Sequence, residues 1–478
     1  MPSLVTNSLA MLAARLAAPF FSFGINIGVA RLLGSQVLGQ YVGVVALLLV
    51  AQALAGGGLS LLVTRDIAAH PEQRAELLRR ANRAGLASGS LATLLFLLYA
   101  RFVFAADLWQ PALLLAVSIL PSAWVSAQEG LFMGMHQHAR IAWVALVEGS
   151  VKLAAAAGVF AFGGGLAGLC AGLTLARLVA LALGQRFAVR AGAERGFARP
   201  AGGALEFTRA LLPFAGIWTL SMLYFRQDVL VVSALRSASE TGLYGVATTL
   251  YALALMAPNS LMAAIYPRLS AAFGTARDAY HEATILSAKL LMLQGVVMAL
   301  VLIASGPWIV RLLYGTSFLA AVPALCLLAA ILPLHGVNSA LGQAMQAAHL
   351  QKEMLGFTLG ASVVNLTLNL VLVPAFGILG AAWALLTTSG LAALALGWIY
   401  HRRITPFALG ARSLLALFSV AAPVAIVLAS PERLRLPAAA LGLVVLAAGA
   451  RGSGLIGVAD LARIATGLGV TRLQSPRA

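Results

Sequence analysis

Runs of about twenty apolar residues recur along almost the whole chain, each long enough to cross a ~30 Å hydrocarbon core as a helix. Short polar steps separate them. We place spans at 8–30, 38–64, 84–106, 110–133, 142–162, 166–187, 207–233, 243–267, 283–305, 319–347, 353–375, 378–400, 407–429 and 436–450. In lipid only helices and closed barrels satisfy every backbone hydrogen bond internally, and runs of this length read as helices. The expected fold is an all-α polytopic membrane protein with about 14 transmembrane helices. A composition of 61% hydrophobic and 10% charged residues agrees, since soluble domains carry roughly a quarter charged residues.

The net charge of +17 could mean a nucleic-acid partner in a soluble chain, so the positions of the basic residues decide. Loops after even-numbered spans hold most of them, including Arg65, Arg74, Arg79, Arg80, Arg83, Arg186, Arg190, Arg195 and Arg199. Loops after odd-numbered spans hold only Arg31, Arg101, Arg236, Arg311, Arg433 and Arg435. This is the positive-inside asymmetry. It places both termini in the cytoplasm, explains the basic excess by insertion, and leaves membrane lipids rather than nucleic acid as the surroundings. The first segment lacks a basic n-region and is too long for a signal peptide, so it is expected to be retained. In the cytoplasmic loop 65–83, Glu76 and Arg80 at i,i+4 suggest a short helix, either interfacial, with Leu77 and Leu78 available to the membrane surface, or a solvated linker helix, which is the favoured reading.

The stretch from Glu206 to Arg268 restarts a pattern used at the N-terminus. A shift of 203 positions puts Gly39 on Gly242, Tyr41 on Tyr244 and Arg65 on Arg268; a shift of 213 puts Gly164 on Gly377 and the ALALG run at 180–184 on that at 393–397. Spans 1 to 6 then correspond to spans 7 to 12. Six is even, so the fold is two parallel six-helix repeats plus two C-terminal helices, with a substrate site expected in the cleft between the repeats. The domains read as an N-terminal lobe 1–190, a cytoplasmic linker 191–205, a C-terminal lobe 206–402, two extra helices in 403–450 and a cytoplasmic tail 451–478.

Eight ionisable residues fall within or at the ends of spans: Arg15, Glu129, Glu148, Lys152, Arg177, Arg226, Asp228 and Lys289. Facing lipid at the bilayer centre, each would cost about 2.5–3.5 kcal/mol on the insertion scale, so most must face protein or water. Glu129 and Lys289 lie near cytoplasmic ends and can snorkel. Glu148 and Lys152 are one helical turn apart and can pair. Arg15 and Arg177 have no partner at i±3 or i±4. Arg226 and Asp228 are two apart and point to different sides of their helix. Five cations against three anions favour an anionic ligand such as phosphate or pyrophosphate.

Nothing marks an enzyme or a cofactor site. His136 and His138 sit in a loop, His335 is alone inside the tenth span, and no metal-ligand spacing, phosphate loop or nucleophile–base pair occurs. Cys170 and Cys326 lie in apolar segments and support no disulfide. Pro121, Pro213, Pro258, Pro323, Pro333 and Pro374, in or at the ends of spans, mark possible kinks.

The residues resemble the polysaccharide-exporter branch of the multidrug/oligosaccharidyl-lipid/polysaccharide flippase superfamily, which includes the O-antigen flippases. The resemblance rests on Asn7 with ARLLG at 30–34, RQD at 226–228, TGLYGVA at 241–247, YPRLS at 266–270, LYGTSF at 313–318 and NLTLNLVLVPAFGILGAAWA at 365–384. It implies a transporter that flips an undecaprenyl-pyrophosphate-linked glycan across the bacterial inner membrane by alternating access. Arg15, Lys152, Arg177 and Arg226 would bind substrate, and Glu148 or Asp228 would couple H+ or Na+. The alternatives are a cation or drug antiporter of the same superfamily, or a membrane glycan polymerase or ligase; the short external loops speak against the latter.

Overall fold

A computed structural model describes residues 4–192, 204–273, 277–405 and 421–452, with side chains in the first helix from Pro19 onward. The described residues form α-helices and short 3-10 turns, without strands. In chain order they are α1 (Leu4–Gly56), α2 (Leu59–Ala69), α3 (Arg74–Val103), α4 (Trp109–Ala116), α5 (Ile119–Gly134), α6 (His138–Phe162) and α7 (Gly165–Arg190). There follow α8 (Ala204–Leu235), α9 (Ala238–Phe273), α10 (Arg277–Leu313), α11 (Val322–Ala329), α12 (Leu332–Ala347), α13 (Gln351–Phe376) and α14 (Ile378–Arg403). Helical residues 421–429 (α15) and α16 (Arg435–Gly452) close the set.

The repeat is written in the helix bounds. Arg74, which starts α3, is 203 residues before Arg277, which starts α10; α4 to α7 recur as α11 to α14 with every start 213 residues on. The ten extra residues are localised: α10 has 37 residues against 30 in α3, and the 3-10 turn that follows has 6 against 3. The second repeat thus lengthened one helix by two turns at its end and one connection by a few residues, leaving the other pairings in register.

Among the described residues ten helices are long and apolar enough to cross a membrane, or eleven if α11 and α12, bent by 41°, form one span. The difference from fourteen has physical sources. The first two expected spans are the two helical stretches of α1 on either side of Gly34, whose φ 82° and ψ 178° break the helix, a conformation that a side chain would strain; with no loop between them they are taken as one in that count. α8 carries Arg226, Gln227 and Asp228, which dilute its apolar run. The expected thirteenth span, 407–429, lies largely outside the described residues, as do the tail beyond 452 and most of the linker, 193–203.

The loop expected at 65–83 is mostly helix, because α2 runs to Ala69 and α3 starts at Arg74. Its leucines are not offered to the membrane: Leu77 and Leu78 are buried. Glu76 holds both Arg79, at 3.0 Å, and Arg80, at 3.3 Å. The expected surface helix is therefore the first two turns of a span.

By contact the chain divides into two compact units, Met1–Gly245 and Val246–Ala478. α8 groups with the first unit because it packs along α1. The start of α9 follows it through a close backbone approach. A Cβ on Gly39 would collide with the Ala238 carbonyl, and one on Gly242 with the Ser35 carbonyl; Ser35 and Ser239 hydroxyls meet at 2.9 Å alongside. Gly39 and Gly242 are the pair that the self-comparison aligns, and Ser35 and Ala238 are likewise 203 apart. Repeat-equivalent positions thus pack on one another with near two-fold reciprocity, and small residues let the backbones touch, as membrane helices do where no hydrophobic force drives them together. In the second unit α10 packs on α12, with Tyr280, Leu291, Met345 and Tyr400 fully or nearly fully buried in one cluster.

Candidate functional site

The turn at Gly163 and Gly164 folds α6 and α7 into a hairpin, so residues equally far from the turn lie at equal depth. Lys152 and Arg177 are such a pair, and Glu148 sits one turn from Lys152 on α6. Lys152 Nζ is 2.6 Å from Glu148 Oε1, and Arg177 Nη2 is 3.2 Å from the same oxygen. Glu148 is only 8% exposed. A carboxylate this buried is tolerated because two cations face it: desolvation costs several kcal/mol per ion and must be offset by close partners. Arg177, which has no partner on its own helix, finds one across the hairpin. Symmetry about the Gly-Gly turn was the sequence signal for it; a search limited to i±3 and i±4 misses it.

Arg177 also faces a cavity of about 630 Å³ in the first unit, lined among others by Gln52, Ser122, Ser126, Glu129 and Trp218. Its Nε is buried without a hydrogen-bond partner among the described residues, a donor left over after Glu148 is served. Glu129, expected to snorkel, instead lines this cavity. Glu129, Glu148, Lys152 and Arg177 cancel in formal charge, so the attraction for an anion comes from the spare donor geometry rather than from a surplus of charge. The side chain of Arg15 lies outside the described residues.

On α8, Arg226 and Asp228 form no ion pair with each other. Asp228, 6% exposed, accepts from Tyr244 Oη at 2.7 Å and from the Val229 amide at 2.8 Å. Both of its oxygens are engaged, and it fastens α8 to the start of α9. Arg226 keeps a buried Nε without a partner among the described residues. Arg177 and Arg226 thus each carry an unsatisfied buried N–H donor, as does Arg74 at the start of α3.

The second unit holds polar groups that the sequence reading passed over. Asn365 and Asn369, both fully buried on α13, join Thr388 of α14: Asn365 Nδ2 donates to Thr388 Oγ1 at 3.1 Å and Asn369 Nδ2 to Asn365 Oδ1 at 3.0 Å. Two asparagines one turn apart in an apolar run were the available signal. His335, expected to be alone, lies with Nε2 3.2 Å from Asn259 Oδ1. No group of three or more His, Cys, Asp and Glu suited to a metal ion occurs among the described residues.

Comparison with known proteins adds a family and a fold. A family model described as polysaccharide biosynthesis protein matches residues 4–273, more than half of the chain. Among solved structures, the lipid II flippase MurJ in an inward closed conformation matches with a TM-score of 0.71 and 13% identity, covering 93% of this chain and 98% of that one. An inward-facing multidrug resistance MATE family transporter of the MOP superfamily matches at 0.67 and 16%, covering 82% and 97%. An outward-facing one matches at 0.60 and 15%, covering 83% and 94%. Curated protein sequences give no match. At such identities the structural likeness speaks for the fold.

Proposed function

The chain belongs to the polysaccharide biosynthesis protein family, and from that membership we propose that it flips polyprenyl-pyrophosphate-linked oligosaccharide repeat units across the bacterial inner membrane. The observation that carries this reading is the first unit's cavity, with the guanidinium-bearing Arg177 among its lining residues. A pyrophosphate needs several charge-assisted N–H donors in fixed positions, which guanidinium groups supply. Arg177, Arg226, Lys152 and Arg15 are the proposed anchors. Glu148 and Asp228 are the proposed carboxylates for a coupling proton or sodium ion, with the transport step by alternating access and both termini in the cytoplasm.

One observation favours a second reading. Glu129 lines the same cavity without a hydrogen bond among the described residues, as the site of a cation antiporter would require. The readings part on ligand charge: a flippase binds polyprenyl pyrophosphates, and an antiporter binds organic cations.

Arg177→Ala and Arg15→Ala should each insert and accumulate normally yet fail to restore surface glycan in a strain deleted for this gene. Full restoration by both variants sinks the assignment.

A further inference from the structure

Asn259 on α9 and His335 on α12 form the hydrogen-bonded pair at 3.2 Å described above. Asn259 is exposed and His335 partly so, and both lie within apolar runs that span the membrane. Polar side chains at such positions are costly toward lipid and almost always face protein or a water-filled cavity.

The repeat says which. Subtracting 203 from Asn259 gives Gly56, and subtracting 213 from His335 gives Ser122. Both of those residues line the cavity of the first unit. They are neighbours there too: a Cβ on Gly56 would stand 3.3 Å from the Ser122 carbonyl. The equivalent positions are thus neighbours in both units, and the Asn259–His335 pair stands at the second unit's equivalents of two cavity-lining positions. The charges do not carry over. Glu129 and Arg177 correspond to Gly342 and Gly390, whereas Ser126 corresponds to Ser339.

A wall with hydrogen-bonding groups and no charge suits neither a pyrophosphate nor an organic cation. It suits a ring of hydroxyl groups. With Nε2–H of His335 donating to Asn259 Oδ1, the His335 Nδ1 remains an acceptor and the Asn259 amide keeps two N–H donors, the alternation that adjacent sugar hydroxyls read. We propose that Asn259 and His335 form a sugar-recognition subsite on the second unit, which reads the glycan of a lipid-linked substrate. This rests on the flippase reading above.

The test measures binding of two probes to the purified full chain: undecaprenyl pyrophosphate, and the same lipid carrying one N-acetylhexosamine. The wild type should prefer the glycosylated lipid by about tenfold, the worth of two hydrogen bonds. Asn259→Ala with His335→Ala should bring that ratio to about one while leaving the affinity for bare undecaprenyl pyrophosphate unchanged, which also shows that the variant is folded. His335→Gln, which keeps a donor and an acceptor, should retain part of the preference. An unchanged ratio in the double variant, an equal loss of both lipids, or no preference in the wild type overturns the subsite. Failure of the wild type to bind either lipid overturns the flippase reading itself, a separate outcome.

Discussion

The α6–α7 hairpin of the first unit and the α13–α14 hairpin of the second have the same lengths to within a residue and starts 213 residues apart, yet they bury opposite chemistries. At the positions of Glu148, Lys152 and Arg177 the second hairpin has Ala361, Asn365 and Gly390. One holds two cations around a single carboxylate oxygen; the other holds an asparagine–threonine cluster. The scaffold tolerates either, so the charges are not needed to build the hairpin. That is the argument for reading them as functional.

Removing the hub of the charged hairpin should have the largest effect. Glu148→Ala strands two buried cations and should cost about 3–5 kcal/mol, read as a fall in the detergent-solubilised unfolding midpoint. Replacing all three residues by the apolar or neutral types of the other hairpin, as Glu148→Ala, Lys152→Asn and Arg177→Gly together, should recover much of that stability and none of the transport. A triple variant that transports would erase the distinction between the hairpins.

Next comes the contact where repeat-equivalent residues meet. Gly39→Ala and Gly242→Ala each force a methyl into a facing carbonyl, and overpacking of this kind costs about 1–3 kcal/mol. The reciprocity of the contact predicts similar losses for the two, measured by unfolding midpoint; a large loss for one and none for the other would break the two-fold reading. A smaller effect is expected in the neutral hairpin. Asn365→Ala leaves Asn369 and Thr388 short of a partner, about 1–3 kcal/mol. Because no charge is involved, the loss should not change with salt. The mildest is Tyr244→Phe, which removes one hydrogen bond from Asp228; with Arg226 swinging over to replace it, the net cost in the unfolding midpoint should be about 0.5–1 kcal/mol.

These effects also mark what a sequence can convey. Apolar run length made the helices legible, and the two shifts, 203 and 213, were recoverable because Gly39 and Gly242 share one close backbone contact and Gly164 and Gly377 stand just before equivalent helices. Run length separated the first two spans but could not tell that a single residue, Gly34, with its non-helical backbone, stands in for a loop between them. Nor could it place Leu77 and Leu78, whose burial depends on packing that only the fold supplies. At the site, Glu148 and Lys152 were readable because helix geometry alone brings them together. Arg177 to Glu148 and His335 to Asn259 were not, because each pair spans two helices. Those contacts decide which donors are spent and which are left for a ligand.

The most direct test of the central claim is leaflet-resolved labelling of the lipid-linked intermediate in cells depleted of this protein and supplied with wild type or Arg177→Ala. The account predicts that the intermediate accumulates in the cytoplasmic leaflet on depletion, that the wild type clears it, and that Arg177→Ala leaves it there at normal protein levels. Clearance by Arg177→Ala at the wild-type rate, or no accumulation on depletion, would contradict it.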